Sequence, residues 1–111
     1  NGKYLFRDGM TYEGRFEEGK LEGEGTAFYP GGQKYVGHWS RSRYEGRGET
    51  YMLGGSKYVG EFEFGRRHGK GTLTFPSGLS YVGQFLDGQP HGRGVMTSAL
   101  SGWSYDGSFE L

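Results

Sequence analysis

The chain has 111 residues, a formal net charge of zero and no cysteine. This length fits one domain with a modest core, and the missing cysteines exclude disulfides, thiolate metal sites and cysteine nucleophiles. Its neutrality gives no reason to expect nucleic acid as a partner. The 24 glycines warn of low complexity, whereas an aromatic content of 17% favours a folded chain.

A tyrosine motif repeats along the whole sequence. It reads "YEGRF" at Tyr12, "YVGHW" at Tyr35, "YVGEF" at Tyr58, "YVGQF" at Tyr81 and "YDGSF" at Tyr105, with spacings of 23, 23, 23 and 24 residues. Almost every glycine falls at a fixed position counted from the tyrosine, at −3, +2, +7, +11 or +13. Such a period indicates a repeat architecture and explains the glycine content.

Each unit predicts one β-hairpin. The alternation in "Y-x-G-x-F" predicts a strand in which the tyrosine and the aromatic residue at +4 share a face. Glycines in the following "xxGxxxG" predict the turn, and the glycine at +13 opens a second strand with apolar residues such as Leu73 and Phe75. Pro30 and Pro76 mark the connectors between units.

The hairpins are expected to stack into one sheet, because a single hairpin is only marginally stable. Glycines at +2 and +13 lie on the aromatic face, so that rings can lie over bare backbone. The predicted fold class is therefore all-β. It is an array of consecutive antiparallel hairpins forming one elongated, twisted, single-layer sheet of roughly ten strands, each unit adding about 10 Å.

These units resemble MORN repeats (membrane occupation and recognition nexus). The family pattern Y-E-G-x-[WF]-x-x-G-x-x-x-G-x-G-x-[LY]-x-[YF]-x-x-G matches "YEGRFEEGKLEGEGTAFYPGG" nearly throughout. The resemblance covers one domain over residues 1–111, with full units starting at Tyr12, Tyr35, Tyr58 and Tyr81 and partial units at 1–11 and 105–111, and the chain reads as a fragment of a longer protein. Ser42 replaces the +7 glycine, so we expect a different turn there. Met52 and Ser98 replace the +17 aromatic residue.

The resemblance implies a non-catalytic module that binds protein partners, forms dimers or lies near membranes, as in junctophilins, alsin and retinophilin. We therefore expect a cytoplasmic scaffold or adaptor, cytoskeleton- or membrane-associated in some settings, with no enzyme activity and no cofactor. Two sequence features agree with the expected lack of enzyme activity and cofactor. "GRFEEGKL" lacks the final Ser or Thr of a phosphate loop. His68 and His91 occupy equivalent positions about 10 Å apart, too far to share a zinc ion.

The aromatic face is the first candidate site. We predict that a protein partner, as an extended or helical segment, binds along a groove formed by Tyr12, Tyr35, Trp39, Tyr58, Phe62, Tyr81 and Phe85, with Phe16 beside them. The preference for tyrosine suggests partial exposure, so this face would serve both as core and as groove. An apolar stripe of Val36, Val59 and Val82 on the opposite face is a rival partner site.

Two other parts of the sequence are alternative binding sites to the aromatic face: the basic residues and the ends of the sheet. Arg43, Arg47, Arg66, Lys70 and Arg93 form columns near the hairpin ends, joined by Arg41 and Arg67. Such columns suit a peripheral module binding anionic phospholipid headgroups, or equally an acidic partner. An open sheet also ends in unpaired strands, which predicts a homodimer through the terminal edge strand at Trp103 to Phe109.

Overall fold

The computed structural model describes residues 2–109, and these residues form a single ten-stranded antiparallel sheet. The strands are β1 (Gly2–Leu5), β2 (Thr11–Glu17), β3 (Lys20–Phe28), β4 (Lys34–Ser40), β5 (Arg43–Tyr51), β6 (Lys57–Glu63), β7 (Arg66–Thr74), β8 (Leu79–Leu86), β9 (Gln89–Ser98) and β10 (Ser104–Phe109), with one 3₁₀ turn at Leu53–Gly55. Asn1, Glu110 and Leu111, the ends of the predicted partial units, lie outside the described residues.

Strand order in the sheet equals strand order in the chain, and the sheet stays open between β1 and β10. The molecule measures 47 × 24 × 20 Å. Nine strand spacings of about 4.8 Å account for most of the long dimension. The predicted all-β hairpin array is therefore confirmed.

Each hairpin turns within two residues. In the first unit Glu17 pairs with Lys20, and the intervening Glu18 and Gly19 have φ of 50° and 77°. Positive φ at both central positions is what a type I′ turn requires. In the second unit Ser42 occupies the equivalent turn position and has φ 65°, so the expected difference in this turn is wrong. Its hydroxyl accepts the Leu21 N–H at 3.1 Å, a contact that glycine cannot make.

The second strand of each hairpin begins at +8 rather than at +13. The +11 glycines do not turn the chain; they have φ of 72–80° within the strand, where the register shifts by a bulge. Positions +8 to +11, which the pattern places in the turn, are therefore strand. As a result the +9 residue faces the same side as the +4 aromatic, so that Tyr44 pairs with Trp39 and Arg67 with Phe62.

A row of glycines crosses the whole sheet. Paired directly from β1 to β10, its members are Gly2, Gly14, Gly25, Gly37, Gly48, Gly60, Gly71, Gly83, Gly94 and Gly107. A Cβ placed on Gly60 would lie 2.5 Å from the Gly71 Cα and 2.6 Å from the Tyr58 hydroxyl. The tyrosine ring thus occupies the space that two missing side chains leave.

The repeat tyrosines are the centre of the core. Tyr12, Tyr35, Tyr58 and Tyr81 are each 0% exposed, so the partial exposure expected of them is wrong. Each hydroxyl donates to the backbone carbonyl three residues ahead, at 2.8 Å from Tyr58 to Glu61. This carbonyl lies beside the bulge, and its hydrogen bond explains how a phenol is buried without an unsatisfied hydroxyl.

Aromatic rings connect one hairpin to the next. Tyr35 meets Trp39 of its own unit at 5.1 Å and Phe62 of the next unit at 5.3 Å, with interplanar angles of 82° and 83°. Tyr58 and Tyr81 repeat this arrangement. Edge-to-face contacts of this kind are favourable, so the rings form one continuous row that couples the units.

Candidate functional site: an apolar groove on the aromatic face

Two hollows lie over the buried rings on the aromatic face. The first, of about 400 Å³, is lined among others by Phe6, Met10, Phe16, Leu21 and Trp39. The second, of about 750 Å³, is lined among others by Thr50, Met52, Phe62 and Arg67. Tyr29 and Tyr44 line both, and we call the two hollows together the aromatic groove.

The groove follows from the repeat register. Much of its lining comes from positions +4, +9 and +17, such as Trp39, Tyr44 and Met52, which pack on the same face as the tyrosines. The connector after β3 supplies Tyr29, whose N–H donates to the Gln33 carbonyl at 2.9 Å, while Gly32 donates back to the Tyr29 carbonyl at 3.0 Å. Backbone hydrogen bonds thus fix the groove wall.

A pair of tyrosines, Tyr29 and Tyr44, lies between the two hollows of the groove. The Tyr29 and Tyr44 hydroxyls share a hydrogen bond, and the Tyr44 ring stacks on Tyr35 at 3.8 Å with an interplanar angle of 2°. Burial raises the pKa of both hydroxyls, and at Tyr44 the hydrogen bond with Tyr29 raises it further. Both side chains therefore stay neutral at ordinary pH and present polar edges between two apolar hollows.

The charges around the groove have one sign. The charged residues among its lining are Lys34, Arg43, Arg66 and Arg67, and the described part of the chain places no carboxylate there. Of these four, Arg66 pairs with Asp87 and the Lys34 ammonium lies over the Tyr51 ring, so that within residues 2–109 the cations without a carboxylate partner or ring of the opposite face are Arg43 and Arg67. On the opposite face two hollows mix both signs, one with Lys3, Glu13 and Glu24 and one with Arg47, Glu24 and Glu49, and a third is lined by Arg47 and Lys70.

The structure brings all seven predicted partner-binding aromatics onto one face and buries them. Their exposed fractions are 5% or less (Tyr12, Tyr35, Trp39, Tyr58, Phe62, Tyr81, Phe85). Of these seven, Trp39 and Phe62 line the groove itself, and partner binding along this face stays a hypothesis. Sequence analysis did not assign Tyr29 and Tyr44 to a site and grouped Arg67 with the basic columns; Tyr44 and Arg67 occupy the +9 position, which the pattern places in a turn, and Tyr29 lies in the connector after β3.

The basic columns are dispersed. Arg66 lies 3.8 Å from Asp87 and Arg93 lies 3.6 Å from Asp106, each in an exposed ion pair. Arg47 and Lys70 line one hollow on the opposite face, and Arg43 lies at the groove, 5.8 Å from the Phe64 ring centre. Arg67 does not join these columns, because the bulge turns it to the aromatic face.

The valine stripe and the terminal strand keep more contact with water. Val82 is 52% exposed, and Val36 and Val59 are half-buried. On the edge strand β10, Tyr105 is 49% exposed, whereas Phe109 packs against Tyr81 at 4.8 Å. Dimerisation through this edge stays a prediction.

Neither a metal site nor a membrane-spanning helix occurs in residues 2–109. No three His, Asp or Glu side chains of this range converge on one point. Its only helical segment is the three-residue 3₁₀ turn, and no helix has the length and apolar character needed to cross a bilayer.

Together these features define a repeat protein of stacked β-hairpins with an apolar groove on one face. The family model described as MORN repeat matches residues 12–34, 35–51, 58–80 and 81–99, so the chain belongs to the MORN-repeat family. The second match ends just before Met52 and the 3₁₀ turn, where the connector departs from the pattern. The curated proteins compared with the chain yield no match. MORN repeats are generally modules that interact with proteins or membranes.

Proposed function

We propose that this domain is a non-catalytic scaffold that binds a segment of a partner protein in the aromatic groove. The observation that carries the proposal is the groove itself, an apolar depression over a rigid aromatic floor. Tyr29, Tyr44 and Met52 of its walls keep only part of their surface exposed. Rigid tyrosines that offer both apolar area and hydroxyls are favoured anchors for partner segments.

A membrane-surface role has less support. Anionic headgroups attract cations that project from one surface. Here Arg66 and Arg93 already have carboxylate partners, and Arg47 and Lys70 lie on the opposite face from Arg67. We therefore favour a protein partner, in the cytoplasm as the sequence predicts.

Obstructing the groove tests the proposal. Thr50 lies in the second hollow, and Thr50→Trp should fill part of it without adding charge. Thr72→Trp is the matched control, because the Thr72 side chain lines a hollow on the opposite face of the sheet. In affinity capture from a lysate, we expect proteins retained by the wild type and by Thr72→Trp to be lost with Thr50→Trp.

Two results would count against this function. Equal capture by both tryptophan variants would exclude the groove and shift attention to the valine face or the sheet edges. Binding to anionic vesicles that is strong at low salt and unaffected by Thr50→Trp would support the membrane alternative instead.

A further inference from the structure

One charged side chain lies where the repeat otherwise places apolar or aromatic residues. At position +9 the four units carry Leu21, Tyr44, Arg67 and Pro90. The Arg67 guanidinium lies 5.7 Å from the ring centres of both Tyr58 and Phe85, and the side chain is half-buried in the second hollow. Cation–π contacts with two rings hold it in place along the groove.

Arg67 has no counter-charge within the described residues. Its neighbour Arg66 pairs with Asp87, whereas the guanidinium of Arg67 forms no ion pair with any carboxylate of residues 2–109. Burial lowers the pKa of Arg67, yet an arginine stays cationic at neutral pH. A partly desolvated charge without a partner is unfavourable, and the fold does not require it, since leucine or proline serves at the same position.

We propose that Arg67 is a specificity-determining residue, and that the groove takes an acidic, apolar peptide segment of a partner protein, one carboxylate of which pairs with the Arg67 guanidinium. This inference rests on the proposed function and names the chemistry of the partner. Apolar side chains of the segment would occupy the two hollows. The planar fork of arginine matches a carboxylate with two parallel hydrogen bonds, and the low-dielectric surroundings strengthen them.

The distribution of charge favours a peptide over a lipid. Two cations without a carboxylate partner in residues 2–109 lie along the groove, Arg43 at the first hollow and Arg67 at the second. Such spacing suits a chain that carries carboxylates between apolar anchors. A headgroup at a membrane surface would meet projecting cations first, and Arg67 is recessed over the rings of Tyr58 and Phe85.

Peptide selection provides the test. A random-sequence peptide library is panned against the 111-residue chain, and we expect the selected peptides to be enriched in Asp or Glu beside aromatic and aliphatic residues. For one selected peptide, Arg67→Gln should weaken binding roughly tenfold or more, as expected for loss of a charge-assisted pair. Arg47→Gln removes the same charge from the opposite face and should change affinity less than about twofold.

A double-mutant cycle identifies the pair. Replacing the critical Asp of the peptide by Asn should weaken binding to the wild type as much as Arg67→Gln does, and the two changes together should cost little more than either alone. Arg67→Leu, which copies the first unit, serves as a second variant if Arg67→Gln folds poorly. Thermal melts of both variants should show stability equal to or above that of the wild type, because a half-desolvated charge has been removed.

Each remaining outcome separates this inference from the proposed function. Selected peptides without acidic enrichment, or equal losses for Arg67→Gln and Arg47→Gln, would overturn the role of Arg67, and the groove would stand if Thr50→Trp still blocked binding. Peptide binding unaffected by Thr50→Trp would overturn both. Binding of phosphatidylserine vesicles that depends on Arg67, with no peptide selected, would replace the peptide by an anionic lipid.

Discussion

Tyr81 is fully buried, whereas Val82, the next residue along the same strand, is 52% exposed on the other face. Both faces belong to one layer, and residues 2–109 form no second layer over either. The difference arises because the tyrosine rings lie over the glycine row and pack against the aromatic rings at +4, whereas valines of the other face such as Val59 are small and pair with polar residues on the neighbouring strands. One face of a single sheet can therefore form its own core.

The two faces differ in charge as well as in burial. The charged side chains that line the aromatic groove are cationic, whereas on the valine face Arg47 shares a hollow with Glu24 and Glu49. A surface that carries both signs of charge is well solvated and discriminates little among partners. An apolar groove lined by cations favours a partner that carries negative charge. This contrast directs the search for a partner to the aromatic face.

The largest effect is expected from filling the glycine row. Gly60→Val would place side-chain atoms against the Gly71 backbone and the Tyr58 ring, and should lower the free energy of unfolding by about 3 kcal/mol or more. Urea denaturation measures the change. A loss below about 1 kcal/mol would show that the ring can move away and that our account of the row is wrong.

Alkaline pH should lower the free energy of unfolding, because the buried tyrosines of the aromatic face ionise. Burial raises the pKa of Tyr58 to about 12 and also raises that of Tyr35, from the ordinary value of 10.0. The folded state then holds these protons more tightly than the unfolded chain. Stability from this source is complete below pH 10 and is lost as pH rises from 10 through 12. Unfolding midpoints across this range should fall, and midpoints that stay flat would contradict the burial of the phenols.

Removing one hydroxyl should have a moderate effect. Tyr58→Phe keeps the ring but removes the hydrogen bond to the Glu61 carbonyl at 2.8 Å, at a cost of about 1 kcal/mol. The change should also flatten the alkaline loss of stability. Tyr51→Phe is the control, because the Tyr51 hydroxyl donates to the Glu49 carboxylate on the other face. Equal losses for the two variants would remove the distinction between a buried and a surface phenol.

The smallest effect is expected on the valine face. Val82→Thr should change stability by no more than about 0.5 kcal/mol, because half of the side chain already meets water. Thermal unfolding beside the Gly60→Val variant gives the comparison directly. A loss above about 2 kcal/mol would indicate that this face is covered by a second copy in solution, which light scattering would then detect.

The sequence predicted the hairpin array because its period, turns and glycine positions all have local causes. The stacking of rings over bare backbone followed from Gly60 lying two residues after Tyr58 on the same face. The groove wall could not be predicted in the same way. Positive φ at Gly69 suits a turn or a bulge equally well, and only the pairing of Phe62 with Arg67 shows which occurs.

The burial of the tyrosines was missed for a related reason. A hydroxyl at the end of a ring favours partial exposure unless an acceptor lies within reach. That acceptor, the carbonyl of Glu61 for Tyr58, comes from the bulge, which frees a backbone group at the right distance. Only tertiary pairing brings the two together, so the sequence pattern alone could not show it.

Strand order that follows chain order has a kinetic consequence. Every strand from β2 to β9 pairs with the strand before it and the strand after it, so contacts close short loops and cost little chain entropy. Such local topology favours rapid folding for a β protein, and any hairpin can serve as the nucleus from which order spreads in both directions. Opening should begin at β1 and β10, leaving the central hairpins, which carry Tyr44 and Arg67, as the most persistent part of the domain.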